Sequence, residues 1–138
     1  MPDDDIRLAV PALPQYVRLA RLTVASLACQ HGFSFDAIED LRIAVDELCY
    51  LLVGSDGRPG TITLRFAVED DAIVVVADGA AGEDRPQLGE LSAQILAATV
   101  DAHDVTQLDG RITCRLTRHR ERACKGGRAR SDRSTAGA

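Results

Sequence analysis

Residues 33–54 read FSFDAIEDLRIAVDELCYLLVG, and the fold of the chain turns on how that stretch is read. Ile38, Leu41, Val45, Leu48 and Leu52 recur at spacings of three and four, which at 3.6 residues per turn makes one helical stripe that must be buried. Asp36 followed by Glu39 has the spacing of an N-terminal cap, and Gly54, Ser55, Asp56, Gly57 and Pro59 supply the stop. A rotation of about 100° per residue puts Glu47 nearly opposite Val45, among Asp40, Ile43, Tyr50 and Leu51. A carboxylate in such company is either an ordinary solvated Glu beneath a second layer or the edge of a ligand or partner pocket.

Upstream, Ile6, Leu8 and Val10 alternate with Arg7 and Ala9 as in a short half-buried strand that ends at Pro11 and Pro14. Pro14 suits a first helical turn, and Val17, Ala20, Val24, Leu27 and Ala28 keep helical spacing until Gly32. Downstream, residues 61–68, TITLRFAV, alternate cleanly as a strand, Glu69-Asp70-Asp71 reads as a tight turn, and residues 72–77, AIVVVA, form the apolar run of a central strand. Asp78 to Leu88 is the one internal loop of size, before a helix from about Gly89 to Val100. A short strand near Val105 then turns at Asp109-Gly110 into residues 111–117, RITCRLT. The order β-α-α-β-β-α-β-β predicts an α+β fold, a two-layer α/β sandwich whose mostly antiparallel sheet carries all the helices on one face.

Length and composition agree with one domain. A chain of 138 residues, 46% hydrophobic, buries a core without disulfides or metal, and we place that domain at residues 1–117. Residues 118–138 are rich in charge, Gly and Ser with no apolar period, and are expected to form a disordered basic tail. The acidic start Met-Pro-Asp-Asp-Asp and the lack of an apolar run near 18 residues predict neither secretory signal nor membrane span, hence a cytoplasmic protein. Cys29, Cys49, Cys114 and Cys124 show no CxxC pairing, and His31, His103 and His119 share no ligand spacing with them, so reduced thiols and no metal site are expected. Residues 1–117 hold nine arginines against nineteen Asp and Glu, a net −10, while residues 118–138 hold seven Lys and Arg against two acids, a net +5. An acidic body repels nucleic acid and suits basic protein partners, although solubility alone also explains it.

The segment DLRIAVDELC, residues 40–49, resembles the N-box helix of the anti-sigma factor serine kinases, which belong to the ATPase superfamily shared with histidine kinases, gyrase B, Hsp90 and MutL. The likeness covers roughly residues 5–117. It implies that Glu47 matches the family's general base and that Leu51 stands where an Asn would hold Mg²⁺, an exchange that removes the oxygen ligand a hard cation needs. The family's Asp-x-Gly-x-Gly, in which the Asp binds the adenine amino group, is met by Asp78 and Gly82, with Ala80 in place of the first glycine. Its Gly-x-Gly-Leu, which opens a phosphate-binding helix, is reduced to Gly89 followed by Glu90, whose carboxylate suits the helix dipole but repels a triphosphate.

What the resemblance implies is an anti-sigma factor that sequesters an alternative sigma factor by partner switching with an anti-anti-sigma factor of the STAS type. It further implies a homodimer. The departures at Leu51, Ala80 and Glu90 lead us to expect no bound cofactor despite the family's ATP and Mg²⁺ and a vestigial base in Glu47, and the acidic body without an apolar span leads us to expect no contact with nucleic acid or membrane. On the partner-binding surface we place Arg18 and Arg21 toward the antagonist, and Asp36, Glu39 and Asp40 toward the sigma factor. Two alternatives stay open: an active ATP-dependent serine kinase acting on the anti-anti-sigma factor, and an unrelated two-layer binding domain using Ile43, Glu47 and Leu51.

Overall fold

The computed structural model describes residues 5–81 and 88–121. Strand β1 (Ile6–Pro11) leads through a 3-10 turn (Pro14–Tyr16) into α1 (Val17–Gln30) and α2 (Phe35–Val53). There follow β2 (Thr61–Glu69), β3 (Ala72–Ala80), α3 (Glu90–Thr99), β4 (Ala102–Leu108) and β5 (Arg111–His119). The five strands form one sheet in the order β1-β2-β3-β5-β4, every pair antiparallel, and the fold is the α+β sandwich expected. Among the described residues no helix is long and apolar enough to cross a membrane.

The seam of α2 lies against the sheet. Leu41, Val45, Leu48 and Leu52 are closed from solvent together with Leu64, Phe66 and Val75, while Ile38 packs at the margin of the same core. Helices α1 and α3 flank α2, with Val24, Leu27 and Leu96 completing the apolar layer. The connection Asp109-Gly110 takes positive φ at both residues, 55° and 77°, the conformation whose twist matches a tight hairpin.

Three local expectations are corrected. The N-cap of α2 is Ser34, not Asp36: its side chain accepts a 3.1 Å hydrogen bond from the Ala37 N–H, and the helix begins one residue later. Asp36 already belongs to the first turn, and Glu39 pairs with Arg42 at 2.9 Å rather than closing a cap. Helix α1 starts at Val17 because Pro14 opens a 3-10 turn instead. Strand β5 runs to His119, past the Thr117 limit, since Arg118 turns into the core side and its guanidinium bonds Asp40 at 3.1 Å and the His119 carbonyl at 2.9 Å. Arg120 extends the attachment, its backbone N–H donating to the Asp71 carbonyl at 2.7 Å. The rest of the basic tail, residues 122–138, lies outside the described residues.

Val45→Asp places a carboxylate where the native side chain has no solvent contact. An unpaired charge buried there costs several kcal/mol, comparable with the whole stability of a small domain. Circular dichroism melting is expected to show no cooperative transition for this variant, and an unchanged melting temperature would refute the packing of α2.

Candidate functional site

The outer flanks of α2 meet different neighbours, and these set the candidate site. Toward α3, Glu47 Oε1 accepts a 2.7 Å hydrogen bond from Ser92 Oγ, so the carboxylate expected to act as a base is held by a serine of its own chain. One turn further on, Leu51 is nearly closed from solvent. It lines a hollow of only about 10 Å³ with Leu48, Leu88, Leu96, Cys114 and Leu116, room for a single water at most. Beyond it opens a cleft of about 520 Å³ between the C-terminal end of α2, the loop 54–58 and the start of α3, with Glu47, Tyr50, Arg58, Gly89 and Ser92 on its walls.

Two features shape that cleft. Gly54 ends α2 at φ 75°, a left-handed conformation that favours glycine. Arg58 then folds back to donate from one guanidinium nitrogen to the carbonyls of Leu51 at 3.0 Å and Leu52 at 2.9 Å, answering the free acceptors and the negative end of the helix. On the opposite wall Gly89 is the N-cap of α3 and supplies no side-chain cap, while Glu90 occupies the first turn.

Asp78 is not part of this site. A Cβ added at Gly79 would point at Ile62 Cγ2 and Leu52 Cδ2, 3.0 and 3.8 Å away, so residue 79 faces the helix layer. Side chains alternate along a strand, and Asp78 therefore points to the open face of the sheet, where Arg111 pairs with it at 2.7 Å. Its register partners agree, for Ala77 and Gly79 stand beside buried Cys114 and Ile112, whereas Asp78 stands beside exposed Thr113. The residue that faces α2 one step earlier is Ala77, completely buried. Gly82, another expected nucleotide contact, lies outside the described residues.

The residues assigned to partner contact are spread over two roles. Arg18 and Asp36 are exposed, and Glu39 is half-exposed beside Arg42. Asp40 also has a structural partner: its carboxylate serves buried Arg118, and withdrawing it leaves a guanidinium stranded in the core. Arg21 bridges to Asp46 across α1 and α2 with 2.9 Å between Nε and Oδ1, an ion pair whose N–H does not align on the oxygen. Ser92, Arg58, Arg111, Arg118 and Asp46 were all missed from sequence. Only Asp46 and the facing of Asp78 had a signal there, in the helical and strand periods respectively.

Burial drives the titration behaviour of this layer. It raises the Cys49 and Cys114 thiols to about 12, so both remain protonated and inert at neutral pH. It also raises the Asp46 carboxyl above its ordinary 3.8, with Arg21 and Arg42 opposing. A carboxyl that keeps its proton to higher pH when folded favours the fold most below 3.8, and that contribution is lost as pH rises through the raised value. Asp46→Asn abolishes this loss. Its melting temperature relative to the native chain is expected to rise between about pH 3 and 6, by an amount equivalent to less than about 1 kcal/mol for so exposed a group; a difference that falls over this interval contradicts the assignment.

Comparison with known proteins meets this geometry on common ground. The family described as histidine kinase-like ATPase domain matches residues 10–123. The chain is 39% identical over 105 residues to the serine-protein kinase RsbW of Bacillus pumilus, covering 71% of this chain and 65% of that relative. It is 38% identical over 109 residues to RsbW of Bacillus subtilis strain 168, covering 76% and 66%. The match thus spans just under two thirds of those relatives' length. The crystal structure of the RsbU and RsbW domains of Rv1364c from Mycobacterium tuberculosis shares the fold with a TM-score of 0.65 at 18% identity, over 83% of this chain and 31% of that one. The chain belongs to the histidine kinase-like ATPase domain family, in the group of the anti-sigma factor serine kinases.

Proposed function

We propose that this chain is a regulatory binding protein that sequesters an alternative sigma factor, yields it to an anti-anti-sigma factor of the STAS type by partner switching, and transfers no phosphate. The observation that carries the reading is the face of the sheet on which Asp78 lies. A nucleotide whose phosphates meet the α2 base lies on the helix side, and there the strand offers Ala77, not a carboxylate, to an adenine amino group. The remaining positions point the same way. Leu51 brings no oxygen to a Mg²⁺ ion, and Glu90 sits on the helix end that would hold the phosphates. The residues present do not fit ATP and Mg²⁺, and Glu47 is best described as the acceptor that ties α3 to α2 through Ser92.

The net −10 of residues 1–117 supports a basic partner. Sigma factors carry basic surface for promoter DNA, and an acidic competitor gains association rate from opposite charge. A homodimer fits the exposed side chains of Ile6, Leu19 and Leu22, which line a groove on α1 beside β1, an edge strand among the described residues. Such a protein works in the cytoplasm with its sigma factor.

Incubation of the native chain and of Leu51→Asn with labelled ATP, Mg²⁺ and an anti-anti-sigma factor is expected to leave that partner unlabelled in both cases, because one restored ligand does not supply a phosphate site. Labelling by the native chain establishes the kinase reading instead. Sigma-factor binding is expected to weaken about tenfold or more between low and high salt, both for the full chain and for one ending at Glu121, which keeps the Arg118 and Arg120 anchors. Salt-independent affinity, or affinity abolished by that truncation, contradicts the electrostatic reading.

A further inference from the structure

Burying the seam of α2 leaves an outer stripe made by Asp36, Glu39, Ile43, Asp46, Glu47 and Tyr50. Ile43 is 44% exposed and Tyr50 58% exposed. They stand seven residues apart, two turns or about 10 Å along the helix, on one line. Between and before them lie carboxylates. The whole of α2 carries five acids, Asp36, Glu39, Asp40, Asp46 and Glu47, against Arg42 alone, a net −4. Large apolar side chains held in water at a two-turn spacing, set in negative charge, are a seam lacking its other half.

Charge narrows the occupant. Anionic lipid and nucleic acid are repelled, and a second copy brings the same net −4 against itself. Residues 122–138 of this chain have the right charge, but they contain no Val, Ile, Leu, Met, Phe, Tyr or Trp to pack on Ile43 and Tyr50. We propose that the outer stripe of α2 is a docking surface for an amphipathic helix of a partner protein. That helix presents apolar side chains seven apart to Ile43 and Tyr50, and Lys or Arg to Glu39 and Asp46. The present pairs of those carboxylates, with Arg42 and Arg21, are half-exposed and therefore cheap to exchange. The proposal rests on the sequestration reading and specifies it: the sigma factor is gripped through a basic amphipathic helix lying along α2.

The test uses the full chain and the variants Ile43→Ala, Tyr50→Ala and their double, with Leu108→Ala, 75% exposed on β4, as control. Alanine keeps the helix, so melting temperatures should stay within a few degrees. Two probes are titrated: a synthetic 18-residue helical peptide with leucines seven apart flanked by lysines, followed by amide shifts of the labelled chain, and an alternative sigma factor. The expected result is shifts centred on residues 36–50, a loss of affinity of about tenfold or more in the double variant for both probes, and no change in Leu108→Ala. Shifts centred elsewhere, absence of peptide binding, or a double variant that holds the sigma factor like the native chain overturns the proposal. If the peptide docks on α2 as expected but the native chain binds no sigma factor, the docking surface stands and the sequestration reading fails. If the sigma factor binds and the variants do not weaken it, the reading stands and the docking surface fails.

Discussion

A helix has one rotation about its axis, and α2 gives it up to keep Leu41, Val45, Leu48 and Leu52 dry against the sheet. Everything else on the helix is then fixed in direction. Asp46 meets Arg21 of α1, Glu47 meets Ser92 of α3, and Asp40 meets Arg118 of β5. Leu51, on the α3 flank, presents methyl groups to the hollow it lines with Leu88 and Leu96. The three polar contacts differ in consequence, since the exposed Arg21 pair is weak while loss of Asp40 strands a buried guanidinium. The same seam therefore orders the core, seats both flanking helices, and decides which acids remain at the surface.

Much of this was legible because the signals were local. The spacing in residues 38–52 located the buried stripe, and Asp109-Gly110 located the last hairpin, since each depends on neighbours within a few residues. The cap of α2 was misread by the attraction of an Asp-x-x-Glu spacing, when the extended backbone at Ser34 and a buried Phe33 just before it set the start. The true length of β5 was beyond reach, because burial of Arg118 depends on an aspartate 78 positions away. Ser92 on Glu47, separated by 45 positions, was hidden for the same reason.

Asp78 is the instructive case. Motif spacing favoured it as an adenine contact, yet the alternation of its own strand already settled its direction: Val75 is core, so residues 77 and 79 are core and residue 78 is not. A motif carries chemistry only when its side chain reaches the side of the sheet where the chemistry occurs. The chain keeps the fold of its kinase relatives, and on its helix side Leu51, Leu88 and Leu96 line one small hollow while Ser92 ties α3 to α2. What that leaves at the surface is charge and exposed apolar area, the materials of protein recognition.

The claim that the helix-side cleft no longer serves a nucleotide is tested most directly by calorimetric titration of the full chain with a non-hydrolysable ATP analogue and Mg²⁺. The account predicts no saturable heat up to millimolar analogue. Stoichiometric binding in the micromolar range, with protection of the amides of Leu51 and Ser92, would contradict it.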